Sequence, residues 1–185
     1  MKSPTNDQDT DPIAQGRDDM DQQQFLTFVS AGETFGISIL AIKEILEYGH
    51  LTHVPMMPDY VRGVMNLRGS VVPVIDLSSR MGRDVTASSK RTCIVIVEVE
   101  HDDEVLDIGV VVDAVNEVIE IPAESIEAAP PFGASIRTDF IAGMGRIDDK
   151  FVVLLDVGNV LSIEELSILE QASNVNANMF NEEQA

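Results

Sequence analysis

The sequence has a single cysteine, twelve basic residues against 32 acidic ones, and no apolar run long enough to cross a membrane. Each scarcity excludes something. Cys93, alone and set in an apolar run, can form no disulfide within the chain. Without a membrane-length run there is no transmembrane helix. The first 24 residues are dominated by Asp, Gln, Asn, Thr and Pro and lack the apolar stretch of a signal peptide. The expected location is cytoplasmic, with no direct membrane insertion. A formal net charge of −20 repels phosphate backbones and anionic lipid, so no nucleic acid is expected as a partner.

Constellations that carry chemistry are also missing. His50 and His53 lie three apart before Pro55, with no further ligand at useful spacing. Asp7, Asp9, Asp11 and Asp18 have the spacing of a calcium loop, but Pro12 stands where its sharp turn needs glycine. Gly143-Met144-Gly145 has Asp148 in place of a third glycine and precedes a strand, so it is no dinucleotide fingerprint. Ser88-Ser89-Lys90 lies in a small-residue linker without the context of an activated nucleophile. The many carboxylates have no apolar frame that would raise a pKa. We therefore expect no catalytic residues, no metal and no cofactor.

What the chain does have, it has twice. Asp59 to Leu77 reads DYVRGVMNLRGSVVPVIDL, and Asp139 to Val157 reads DFIAGMGRIDDKFVVLLDV, aligned without a gap at an offset of 80 residues. Upstream, Gly36-Ile37, Ile39, Ile42 and Glu44-Ile45 recur as Gly109-Val110, Val112, Val115 and Glu117-Val118. The period is too long for a solenoid and marks one duplication of a small unit.

The apolar runs are short and rich in Val and Ile, and Gly and Pro separate them. No long helical period falls between them, so βαβ winding is excluded and small barrels or a sandwich are expected. Each half should hold a strand (25–30, 92–98), a second (34–39, 106–112), a third (43–48, 115–121) and then a hairpin. Pro73 removes a ladder donor, so its strand should be an edge or bulged there, unlike Val153 in the second half. Ser162 to Glu165 is a capping box that opens a helix over 162–173, with Leu166, Leu169 and Ala172 on one stripe. The expected organisation is a disordered tail over 1–24, one unit over 25–175 made of intertwined halves (25–91 and 92–160), and a loose tail over 176–185.

The halves differ at their corners. Arg68-Gly69 answers to Asp148-Asp149, and Arg62 to Ala142, whereas Glu44 and Glu117 are acidic in both. Core packing cannot explain a change of charge between equivalent positions. Two similar scaffolds with different rims suit a protein that holds two unlike partners. Glu44 is placed to pair with Arg68.

These segments carry a family resemblance. FGISILAIKEIL, VRGVMNLRGSVVPVIDL, IGVVVDAVNEVIEI, AAPPF, DFIAGMGRI and FVVLLDV resemble the bacterial chemotaxis coupling proteins of the CheW family, from about Phe25 to Leu169. The resemblance implies a mainly β fold of two SH3-like five-stranded barrels related by a pseudo-twofold, with a C-terminal helix. It implies a non-catalytic adaptor joining cytoplasmic chemoreceptor tips to the regulatory domain of the histidine kinase CheA. Such an adaptor would be a monomer alone, recruited to arrays at the inner membrane and set there in a ring or lattice. Matched positions put Ile39, Ile42, Cys93 and Val115 in a receptor-binding groove, with Glu44 and Arg68 beside it. Arg62, Gly63 and Val64 would face the kinase, and Phe132 would make a further array contact. The alternatives are an adaptor of another motility pathway, a CheV-like adaptor, or a small-molecule sensor using the cleft between the barrels.

Overall fold

A computed structural model of the chain describes residues 22–130 and 138–161. The expected helix over 162–173, both outermost tails and Phe132 lie outside them. In chain order the strands are β1 (Gln22–Ser30), β2 (Glu33–Ser38), β3 (Ile42–Glu47), β4 (Val61–Leu67), β5 (Ser70–Asp76) and β6 (Cys93–His101). Then come β7 (Glu104–Val112), β8 (Ala114–Pro122), β9 (Ile126–Glu127), β10 (Ile141–Ile147) and β11 (Lys150–Leu155). Each expected strand is present. Two one-turn helices, α1 (Leu77–Arg80) and α2 (Val157–Val160), follow the two equivalent hairpins. Residues 22–24, read from their polarity as tail, instead extend β1 by pairing with Pro122, Ile121 and Glu120. Ladder hydrogen bonds need only backbone, and Gln24 adds a side-chain bond to Glu120 at 3.0 Å.

Four two-residue turns shape this backbone. Ala31-Gly32, Arg68-Gly69, Asp102-Asp103 and Asp148-Asp149 all have positive φ at both positions, as the tight turn that matches strand twist requires. They join β1 to β2, β4 to β5, β6 to β7 and β10 to β11. Asp tolerates this region well, whereas Arg68 at φ 51° gains nothing from it locally.

The sheets do not follow the division of the sequence. One sheet has the order β8-β1-β2-β11-β10-β9 and the other β3-β6-β7-β5-β4. Replacing each strand by its repeat equivalent turns one order into the other, apart from the short β9. The first hairpin of each half is therefore inserted among the later strands of the other half. It is joined there by a parallel ladder, β2 to β11 and β7 to β5. The result is the mainly β pair of small barrels, related by a pseudo-twofold.

One barrel closes between β3 and β4, and the other between β8 and β10. In the first, side chains of Glu44 on β3 and Arg68 after β4 bridge the gap. In the second, a β-carbon on Gly145 of β10 would lie 2.6 Å from Ile121 Cδ1 of β8, so closure there is by direct apposition.

Among the described residues, the buried apolar side chains form three clusters. One barrel encloses Val72, Val74, Ile94, Ile96 and Val111; the other encloses Phe25, Ile121, Val152 and Leu154. The largest lies between them and draws on both halves, with Phe28, Ile37, Ile75, Val95, Val97 and Val110 among its members. On β6, Ile94 and Ile96 face the barrel interior while Val95 and Val97 face this shared layer. A strand covered on both faces needs a continuous apolar run, which is why CIVIV shows no polar alternation.

Pro73 shows how its strand tolerates the missing donor. β5 is an interior strand, between β7 and β4, and not the edge expected. Val64, opposite Pro73, directs its own N–H and C=O away to Thr52. That makes Val64–Pro73 a non-hydrogen-bonded pair, so the absent N–H would face β7, whose ladder begins only at Val74. The bulge sits on the partner strand, at Arg62, between Val61 and Gly63.

Gly63 has φ 141°, and a β-carbon there would collide with the Thr52 carbonyl oxygen. Gly63→Ala is expected to lower stability by about 3 kcal/mol, from a glycine-only conformation plus the clash. Thermal unfolding should then shift down by roughly 6–12 °C. A midpoint within about 2 °C of the parent would show that the Thr52 segment yields easily.

Candidate functional site

The residues assigned to the groove gather at one layer. Ile39, Ile42, Cys93 and Val115 are all partly buried and all pack against the shared cluster between the barrels. Ile39 lies on a single 3-10 turn, Ile39–Ala41, between β2 and β3; the Ser38 hydroxyl accepts from Leu40 N. That turn carries the chain from one barrel to the other, which puts its side chains at their junction. Sequence reasoning passed over Leu40, which is 92% exposed between these anchors. The Cys93 thiol is partly buried and donates to the Arg91 carbonyl.

Beside the groove, Arg68 and Glu44 form the expected pair in a two-pronged geometry. Arg68 Nη1 donates to Glu44 Oε2 at 2.9 Å, and Nη2 donates to Oε1 at 3.0 Å. The Arg68 side chain is 70% exposed. Both terminal nitrogens of the guanidinium are held in one plane with the carboxylate, and the side chain remains largely open to solvent. The equivalent corner of the second barrel carries Asp148 and Asp149, so no such clasp can form with Glu117. On the neighbouring strands Lys43 donates to Asp107 at 2.9 Å and lies 3.5 Å from Glu98. The hydrogen bond that the Lys43 ammonium donates to Asp107 holds its pKa above the ordinary value.

The segment assigned to the kinase face is built around a buried acid. Arg62 turns its guanidinium inward. Nη1 donates to Asp76 Oδ2 at 3.1 Å and to the Thr86 carbonyl at 3.0 Å, while Nη2 donates to Tyr48 Oη at 2.7 Å. Asp76 is fully buried; it also accepts from Thr86 N, Thr86 Oγ1 and Ser79 N, the last capping α1. Gly63 is buried, and Val64 is bridged to Thr52. Arg62 and Val64 are both half-buried, and Arg62 and Gly63 hold the shape of the strand that carries Val64. Asp76 set inside the apolar run VVPVIDL was the visible sign of this buried network.

Among the described residues, no group of three or more His, Cys, Asp or Glu is arranged to hold a metal, and no helix is long and apolar enough to cross a membrane. A cavity between the barrels, lined by residues such as Ile37, Ile75, Val110 and Leu161, measures about 10 Å³. That admits no more than one water and leaves no room there for a metabolite.

A duplicated pair of small barrels, with a shared core and unlike rims, defines a β-rich scaffold. Residues 24–165 match the family model described as the CheW-like domain. The chain belongs to the CheW family, the adaptor family of bacterial chemotaxis. It is 32% identical over 151 residues to the chemotaxis protein CheW of Klebsiella aerogenes, covering 82% of this chain and 89% of that one. The chemotaxis protein CheV3 of Helicobacter pylori is 30% identical over 143 residues, covering 76% of this chain and 44% of its own length. The crystal structure of the scaffolding protein TtCheW from Thermoanaerobacter tengcongensis superposes with a TM-score of 0.68. It is 34% identical, and the match covers 77% of this chain and 90% of that one.

Proposed function

We propose that this chain couples the cytoplasmic tips of chemoreceptors to the regulatory domain of CheA within receptor arrays, by binding and without chemistry. The observation that carries this reading is the asymmetry of the rims. One barrel presents the Arg68–Glu44 clasp and the other presents acids at the equivalent corner, on scaffolds otherwise alike. A helical receptor hairpin lays apolar side chains against Ile39, Ile42, Cys93 and Val115, with Leu40 as an added anchor. The kinase barrel packs end to end on the face that carries Val64, whose strand is held by Arg62 and Gly63. Phe132 belongs to a further array contact. Weak contacts repeated across a lattice then add up through effective concentration, and a monomer in solution suffices.

The test is a mixture with a receptor-tip fragment and a kinase regulatory domain, followed by size exclusion. A ternary complex supports the reading, and its absence at micromolar concentrations would sink it. Within that assay, Ile39→Asp puts a charge in an apolar contact. It is expected to weaken receptor capture by at least tenfold, a change of about 1.4 kcal/mol, with kinase capture intact. An equal loss of both would remove the groove from its assigned partner.

A further inference from the structure

The two one-turn helices repeat each other bond for bond. Asp76 N donates to the Tyr60 carbonyl at 2.7 Å, and Asp156 N to the Phe140 carbonyl at 2.9 Å. Asp76 caps Ser79 N, and Asp156 caps Asn159 N. The offset of 80 residues that relates these pairs also relates Arg80 to Val160. Those two residues meet: Arg80 Nε donates to the Val160 carbonyl at 2.8 Å. A contact between repeat equivalents lies on the pseudo-twofold axis.

The same guanidinium lies over two aromatic rings, 5.2 Å from the centre of Tyr60 and 4.9 Å from that of Phe140. These rings are themselves repeat equivalents, one from each half. Arg80 is thus held by both copies at once, through two ring faces and one carbonyl. Its own counterpart, valine, can return none of this, so the joint is built from one side only. Cation–ring contacts are directional and strengthen when water is excluded. They add a directional constraint to the close packing of the surrounding Val and Leu side chains.

We propose that Arg80 is a positioning residue that sets the mutual orientation of the two barrels, and through it the geometry in which the adaptor holds two partners. The second half of this statement rests on the coupling function proposed above, whereas the first does not. A partner that touches one barrel alone, as the kinase does at Val64, is indifferent to Arg80; a receptor in the groove, which takes Ile42 and Cys93 from one sheet and Val115 from the other, is not.

The test uses the full chain with Cys93→Ser, labelled at Val71→Cys and Val118→Cys, both exposed positions and one on each sheet. Arg80→Met is expected to broaden the spin-label distance distribution, while amide protection within each sheet stays as in the parent. Arg80→Lys, which keeps a cation over the rings, should restore most of the narrow distribution. An unchanged distribution in Arg80→Met overturns the proposal. Should that variant fail to fold, Phe140→Leu removes one ring and should broaden the distribution partly; no change there overturns it equally. In unlabelled protein, Arg80→Met should bind the kinase regulatory domain alone as the parent does and form the ternary complex about tenfold more weakly, within the usual range of coupling between sites. Parental ternary affinity alongside a broadened distribution would overturn the positioning role. If the parent itself forms no ternary complex, the coupling function fails, and the distance measurement still decides the joint.

Discussion

Asp76→Ala is expected to destabilise the protein more than any of the other substitutions proposed. The carboxylate is fully buried and receives Arg62, two donors of Thr86 and the first turn of α1. Its removal leaves the Arg62 charge largely desolvated without its counter-ion, and breaking one side of a buried pair costs about 3–5 kcal/mol. It also frees Thr86, and with it the connector between the halves. Denaturant unfolding should show the loss in the midpoint with little change in slope. Arg62→Ala in the same background should add much less than it does alone, because the two act as one unit. Full additivity would mean that the network is a set of separate bonds. The second-half equivalent is a built-in control: Ala142 replaces Arg62 and Asp156 is only half-buried, so Asp156→Ala should cost about 1 kcal/mol, the loss of a cap.

Arg68→Glu is expected to have the larger effect on binding. The clasp is exposed, so its contribution to stability is under about 1 kcal/mol and the fold should persist. Reversal places a second carboxylate beside that of Glu44 and erases the positive corner that distinguishes one barrel from the other. Like charges facing one another across an interface cost several kcal/mol, so receptor or kinase capture should fall by well over tenfold. Arg68→Asn separates the causes. Asn suits the positive φ of this turn better than Arg does, so the hairpin should be at least as stable while capture still weakens. Capture at parental strength by Arg68→Glu would remove the corner from the interface.

The sequence exposed most of the strands and concealed their neighbours. Runs such as CIVIV and the repeated hairpin announce buried strands and tight turns, because side-chain pattern reports which faces are covered. It does not report which strand lies alongside. Nothing in Phe25 to Ser38 states that its partners come from beyond residue 113, and the exchange of hairpins between halves was not visible. The one-turn helices α1 and α2 escaped because four residues show no period, although Asp76 and Asp156 are capping residues at matched places. For the site, the Glu44–Arg68 pair was legible because it was unmatched in the second copy. The difference between Arg62 and Ala142 was visible, but not its cause, because the pairing of Arg62 with the buried Asp76 is a contact that the sequence pattern does not report.

The exchange has a consequence for descent. A peptide holding a single copy of the unit leaves its first hairpin without the strands that flank it here, because the three-residue turn Ile39–Ala41 sends the next strand into the opposite barrel. Two such peptides satisfy each other by trading hairpins, as a swapped homodimer. Fusion through residues 81–92 would have made that trade permanent and freed the twin surfaces to diverge, since a mutation no longer had to appear on both sides at once.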